Sequence, residues 1–445
     1  MLPIAKNDNR LFVFIAGLAL VCYSSIGYAI PRTSFQLLLV PVIMLFVLYI
    51  LVTGQAFANN HFKKLLLLAF LSRLVFLFAV PALSDDYFRF IWDGVLTNHS
   101  VNPYNFTPLA VNAIDGRALS SFMLQLKDGI NSLPYYSPYP PVLQFIFFLS
   151  VKPGGYHVLL NLVVMRLLAL LAEGGTVLIA VKMLDHFKMS RCRVLFYALN
   201  PLVIIELAGN LHGEVFLLFF CLLSFYLLVQ KKYLLSAIFL GLAVSTKLLP
   251  LVFLPAIVSF LGMRKGWVFG LIMLLTVTVS FLPFSNGAFL QHIGESVGYY
   301  FQKFEFNASI YYVLRWMGYD LTGFNLIYVI GKLLPVLAFS LILVIAFYKR
   351  IETPAVFFER LLFTLLGYYL FSLIVHPWYI TVLVMLSVFT KQRFALYWSG
   401  LIVLTYSTYM QKPYHEILWV TALEYILLSA IIYKEITAPK IRTVQ

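Results

Sequence analysis

The sequence predicts an all-α polytopic membrane protein, and three observations carry that prediction. Of its 445 residues 62% are hydrophobic and only 11% charged, and mean hydropathy is +0.90; soluble domains carry roughly 25% charged residues. Apolar runs of about a bilayer's length recur from end to end. Basic residues gather in alternate connections between those runs, as expected of loops retained on the cytoplasmic side.

Taken in order, the apolar runs lie near 11–30, 35–53, 62–82, 158–183, 193–209, 212–230, 233–247, 249–262, 266–284, 324–347, 357–375, 378–391, 394–410 and 415–433. Several fall short of the roughly 20 residues a spanning helix needs, so the runs amount to a bundle of about 12–14 transmembrane helices. The first run, Leu11 to Ile30, has a span's length and lacks a clear small-x-small cleavage site, so it reads as a retained span. With the N-terminus inside, Lys63-Lys64, Arg191 and Arg193, Lys231-Lys232, Arg264-Lys265, Lys349-Arg350 and Lys391 with Arg393 all fall on the inner side. The net charge of +14 is therefore an orienting charge and not a nucleic-acid footprint. Cys22, Cys192 and Cys221 sit in or beside apolar runs, which argues against a disulfide framework or a cysteine metal site. No internal repeat or appended soluble domain interrupts the single membrane domain, 1–445.

Two connections outgrow the rest, about 84–140 and about 285–323, and both fall outside. The first begins with Ser84-Asp85-Asp86-Tyr87-Phe88-Arg89-Phe90-Ile91-Trp92-Asp93-Gly94 and closes with Tyr135-Tyr136-Ser137-Pro138-Tyr139-Pro140-Pro141. Asn102-Pro103-Tyr104 stops any helix begun at Ser84, because proline disfavours helix at the residue before it. Val142 to Val151 is apolar but too short to cross, and reads as an interfacial or re-entrant helix.

Polar residues collect on the same outer side: Asp85, Asp86, Arg89 and Asp93; Asn210, His212 and Glu214; Lys247; Glu295, Lys303, Glu305 and Arg315; His376 and Trp378. A bundle can bring them together at the outer leaflet. If Ser84 caps a helix, Asp85, Arg89 and Asp93 share one face at i, i+4 and i+8, and the helix dipole favours acids in the first turn. Asp85 then has the better-placed arginine, which leaves Asp86 freer to act as a general base, although either acid fits the role. The plain structural alternative is a pair of helix-start acids with an arginine ion pair. Glu206, one turn before Asn210, is an ionisable residue inside a span, either functional or paired with a base such as Arg166. His212 and Glu214, two residues apart, make a weak metal signal. Lys247, Arg315 and His376 suit an anionic headgroup, against the ordinary alternatives of snorkelling or interfacial anchoring.

In these segments the chain resembles the GT-C superfamily of polytopic glycosyltransferases, most closely its bacterial mannosyltransferase-like members. The resemblance rests on Ser84-Asp85-Asp86-x-x-Arg89-Phe90-x-Trp92-Asp93-Gly94, Asn102-Pro103-Tyr104, Tyr139-Pro140-Pro141, Asn200-Pro201, Glu206-x-x-Gly209-Asn210-x-His212, Lys247-x-x-Pro250 and His376-Pro377-Trp378-Tyr379, in order over about two thirds of the chain. It implies a polyprenyl-phosphate-linked sugar donor, a lipid or glycan acceptor, and an inverting transfer at the extracytoplasmic face of a bacterial inner membrane. It also implies a catalytic acid at Asp86 or Asp85, with donor-phosphate or substrate contacts among Arg89, Asp93, Glu206, Asn210, His212, Lys247, Arg315 and His376. The acid pair departs from a strict Asp-x-Asp, so no metal cofactor is assumed, although a divalent ion is not excluded. Mannose is the sugar the resemblance favours. A lipid-linked glycan flippase or a secondary transporter is the alternative; a flippase has no use for the outer acid, and transporters usually show an internal repeat.

Overall fold

The computed structural model describes residues 9–114, 116–285, 287–302 and 304–437. The chain is a helical bundle whose strands, among the described residues, amount to one short antiparallel pair, Ala113–Ile114 with Arg117–Ala118. Among the described residues five helices are long and apolar enough to cross a membrane singly: Asn9–Tyr28 (α1), Phe35–Thr53 (α2), Val158–His186, Met263–Phe284 and Ile327–Phe347. A bent pair, Arg191–Ala198 and Pro201–Gly209, turns by 53° and makes up to six. Long single helices are thus fewer than the spans read from apolar runs. Gln55–Leu74 (α3) leaves helical geometry at His61, and Tyr233–Val244, Leu249–Leu261 and Pro377–Ser387 are short apolar helices.

The membrane character is written into which face is buried. Val158–His186 turns Asn161, Arg166, Glu173 and Thr176 inward and leaves Leu159, Leu160, Leu167, Leu171 and Leu178 exposed. Apolar residues outside and hydrogen-bonded polar ones inside is the pattern of a helix solvated by lipid. The inward residues are held: Arg73 donates to Glu173 and to the Ala198 carbonyl, while Arg166 donates to the carbonyls of Ala208 at 2.9 Å, Gly209 at 3.0 Å and Leu77 at 3.2 Å.

The first long connection and the stretch after it fold as Asp86–Asn98 (α4), the strand pair, the helix Ser121–Gly129 and the helix Pro141–Gly154. The last of these fits the short interfacial or re-entrant helix expected there, starting at Pro141. It crosses α4 closely at Gly94, where an added Cβ would come within 2.6 Å of the Phe147 carbonyl oxygen. The helix α4 ends at Asn98, a turn before the Asn102-Pro103 stop. The second long connection holds the helices Phe289–Gln302 and Ile310–Thr322, the latter closed by Gly323 in the left-handed conformation at φ 76°. A bridge between Phe306 and Ile374 ties it to the strand-like stretch that carries His376.

Candidate active site

The site is built around the start of α4. Ser84 Oγ accepts the Asp86 backbone N–H at 3.2 Å, and the helix begins at Asp86, with Asp85 as the residue before it. Asp85 therefore lies off the helical face that would have paired it with Arg89. Its ion-pair partner is Arg32, from the turn between α1 and α2. Arg32 also donates to the Tyr414 hydroxyl at 2.9 Å and lies 5.0 Å from the Tyr409 ring centre. Arg89 instead bonds Asp93 at 2.8 Å, one turn along the same helix, and donates to the Tyr135 carbonyl. Asp93 further accepts from Ser137 and from Gln144. Arg89 and Asp93 are fully enclosed, so the pair braces α4 against the loop that returns over it.

Asp86 has no arginine. Its carboxyl, 27% exposed, faces the imidazole of His212, with Nε2 3.9 Å from Oδ2. His212 is delivered by the broken span. Asn200-Pro201 bends the chain, Asn200 Oδ1 caps the new start by accepting the Val203 N–H, and a wide helical turn follows over Ile204–Gly209. Leu211 then takes φ 63°, the left-handed region that a branched side chain enters only under constraint. That reversal turns His212 back onto Glu206: Nδ1 lies 3.1 Å from Glu206 Oε2 and 3.2 Å from its carbonyl. Glu206 is fully buried and also accepts from Asn210 at 3.0 Å and from the Tyr406 hydroxyl at 2.6 Å. Arg166, the suggested partner of Glu206, is occupied with backbone carbonyls instead, because a chain break leaves carbonyls that a guanidinium fork satisfies better. Asn210 Oδ1 also accepts the Leu83 N–H, which ties this segment to the entry of the acidic loop.

The other wall comes from later in the chain. Lys247 pairs with the buried Glu214, and its ammonium sits 3.7 Å from the Tyr379 ring centre. The indole of Trp378 stacks on His212 at 3.7 Å and on His376 at 4.3 Å. Burial, reinforced by Lys247 and His212, holds His376 well below the ordinary imidazole range, so its ring is neutral. Burial also raises the Asp86 carboxyl above the usual carboxylate range; His212 and Lys247 oppose that shift while Asp85 and Glu214 add to it.

Arg315 lies apart from this cluster. It pairs with Glu305 and covers the Tyr312 ring at 4.4 Å, beside Glu416. Lys303 falls outside the described residues. Among the described residues no group of three or more His, Cys, Asp or Glu side chains is arranged to hold a metal ion. Arg32, Tyr406 and Tyr409 were missed by sequence reasoning. Arg32 had one signal, a lone outer-side arginine beside Pro31, whereas the two tyrosines sit in an aromatic-rich stretch with nothing to single them out.

Fold and site together define a polytopic membrane protein with an acid, two imidazoles and a lysine at one end of its bundle. The chain belongs to the alpha-(1->6)-mannopyranosyltransferase family, whose N-terminal-domain model matches residues 18–263. This agrees with the GT-C, mannosyltransferase-like resemblance. It is similar to alpha-(1->6)-mannopyranosyltransferase A of Corynebacterium glutamicum, 23% identical over 199 residues, a region covering 43% of this chain and 39% of that relative. No solved structure matches. The matched stretch contains Asp86, Glu206, His212 and Lys247, whereas Trp378 and His376 lie beyond it.

Proposed function

We propose that the chain transfers a mannosyl group from a polyprenyl-phosphate donor to a hydroxyl of a lipid or glycan acceptor, with Asp86 as general base. The observation that carries this reading is the Asp86 carboxyl, without an arginine partner, facing His212 on the side to which Lys247 also contributes. Membership of a mannosyltransferase family supports the sugar. The basic inner loops support a site facing the outside of a bacterial cytoplasmic membrane, with the donor tail in the bilayer.

The chemistry needs one carboxylate. Asp86 takes the acceptor proton as the hydroxyl oxygen bonds the anomeric carbon, and the bond from that carbon to the phosphate oxygen breaks with its electron pair leaving on phosphate. Lys247, held by Glu214 through one hydrogen, keeps others for the leaving phosphate, and neutral His376 contributes hydrogen-bonding capacity. A single displacement inverts the anomeric centre. An alpha-linked product, as the family's name describes, then requires a beta-linked donor. Nothing in this step needs the paired acids of glycoside hydrolysis.

The test is to supply the purified, reconstituted protein with a panel of polyprenyl-phosphate sugars of both anomeric forms and to identify the product. Transfer from the beta-mannosyl donor is expected. Movement of intact lipid-linked sugar across the bilayer without transfer would replace this reading with the flippase.

A further inference from the structure

Resting on that reading, we infer that His212 is the proton-holding partner of Asp86 and that Glu206 is the residue positioning it. The geometry assigns the imidazole's hydrogens. Nδ1 lies against two acceptors, the Glu206 carboxylate and the Glu206 carbonyl, so Nδ1 carries the hydrogen. Nε2 is left as the proton-accepting atom, and it is turned toward Asp86. His212 is 2% exposed, yet Nε2 has no hydrogen-bond partner among the described residues. A histidine buried purely for packing normally has both ring nitrogens satisfied; this one keeps its second nitrogen for a group outside the resting structure's hydrogen bonds.

The proton balance is closed. The acceptor O–H breaks and its proton goes to Asp86, which becomes a neutral acid. From there it moves to Nε2 of His212, giving an imidazolium whose Nδ1–H remains on the Glu206 carboxylate. Asp86 is again an anion, close to the new cation, and the former hydroxyl oxygen is now the bridging oxygen of the glycosidic bond. When product leaves, the proton returns through the partly exposed Asp86 to water. The 3.9 Å separation is closed by Asp86, because His212 is fixed by its stack on Trp378 and its bond to Glu206.

The surroundings favour this path. The charged and titratable groups around Asp86 are Asp85, His212, Glu214, Lys247, Tyr379 and Tyr409. Asp85 is committed to Arg32 and Glu214 to Lys247, while Tyr379 and Tyr409 are phenols, neutral at ordinary pH. The groups around His212 are Glu206, Asp86 and His376, the last kept neutral. Among these groups His212 is thus the one with an available basic atom.

The test compares His212→Gln, Glu206→Gln and Asp86→Asn with the native protein in reconstituted membranes. The readouts are turnover against pH, KM for both substrates, donor binding and thermal unfolding. In His212→Gln turnover should fall on the order of 10- to 100-fold, with donor binding kept and the pH profile reduced to a single carboxylate limb. Glu206→Gln should lower turnover with KM unchanged, because the imidazole loses its anionic support. Native turnover and an unaltered pH profile in a folded His212→Gln protein would overturn the relay, as would loss of donor binding in parallel with turnover. If His212→Gln does not fold, Glu206→Gln decides by the same criteria. Should Asp86→Asn retain full activity, Asp86 is not the base and the proposed reading of the site fails with it; an inactive Asp86→Asn beside a native-like His212→Gln removes the relay alone.

Discussion

Arg32 takes the charge of Asp85, and that single contact distinguishes two adjacent carboxylates. Asp85 is paired across 53 residues of chain to the turn after the first helix. Asp86, one residue further, is left to the imidazole. The division of labour comes from tertiary structure, since the helix alone would have given Asp85 to Arg89.

Asp86→Asn is expected to lower transfer by about 10²- to 10⁴-fold, the usual worth of a positioned base. Expression and donor binding should be retained, because Asp86 makes no buried ion pair with an arginine or lysine. Asp85→Asn should leave most activity. The reverse result in a transfer assay would move the base by one position.

Transfer should climb with pH across a range above that of ordinary carboxylates, near 4. The sign follows from the role: a base must be ionised, and burial raises the Asp86 carboxyl, so protonation switches it off at a higher pH than usual. Removing Lys247, which opposes that shift, should push the limb higher still. A kcat/KM profile measured from pH 4 upward checks both directions.

Lys247→Ala combines two effects. It should weaken donor binding, and it leaves Glu214, 2% exposed, without its cation, a loss that costs about 3–5 kcal/mol in buried pairs. The double variant Lys247→Met with Glu214→Gln should recover stability while donor affinity stays low. If donor affinity recovers as well, Lys247 is a structural partner only.

Gly94→Val should destabilise the protein by about 1–3 kcal/mol, because the added carbons meet the backbone oxygen of Phe147, which has little freedom to move. Since α4 carries Asp86 at its first position, turnover should fall with the shift in unfolding temperature. An unchanged unfolding curve would mean the two helices are not held as closely as the geometry shows.

The helical membrane character was legible because composition reports directly on the surrounding solvent. So was the gathering of Asp86, His212, Lys247 and His376 on one side, since alternation of the loops needs no tertiary knowledge. Partners were not legible. Asp85 pairs with Arg32 and Glu206 with Tyr406, 200 residues apart in the second case, while local spacing favoured Arg89 and proximity of charge favoured Arg166. Arg89 and Asp93 looked like outward ligands, yet they are buried by a loop whose return over α4 no periodicity announces. The break at Asn200-Pro201 was readable as a motif. Its consequence, a reversal at Leu211 that aims His212, was not.

The stack of His212 and His376 on Trp378 joins residues from either side of position 263, where the match to the family's N-terminal-domain model ends. The proposed base Asp86 and its imidazole neighbour His212 lie before that point, and the indole that backs the imidazole comes from after it. The seat of His212 is therefore complete only when both stretches of the chain have folded against each other.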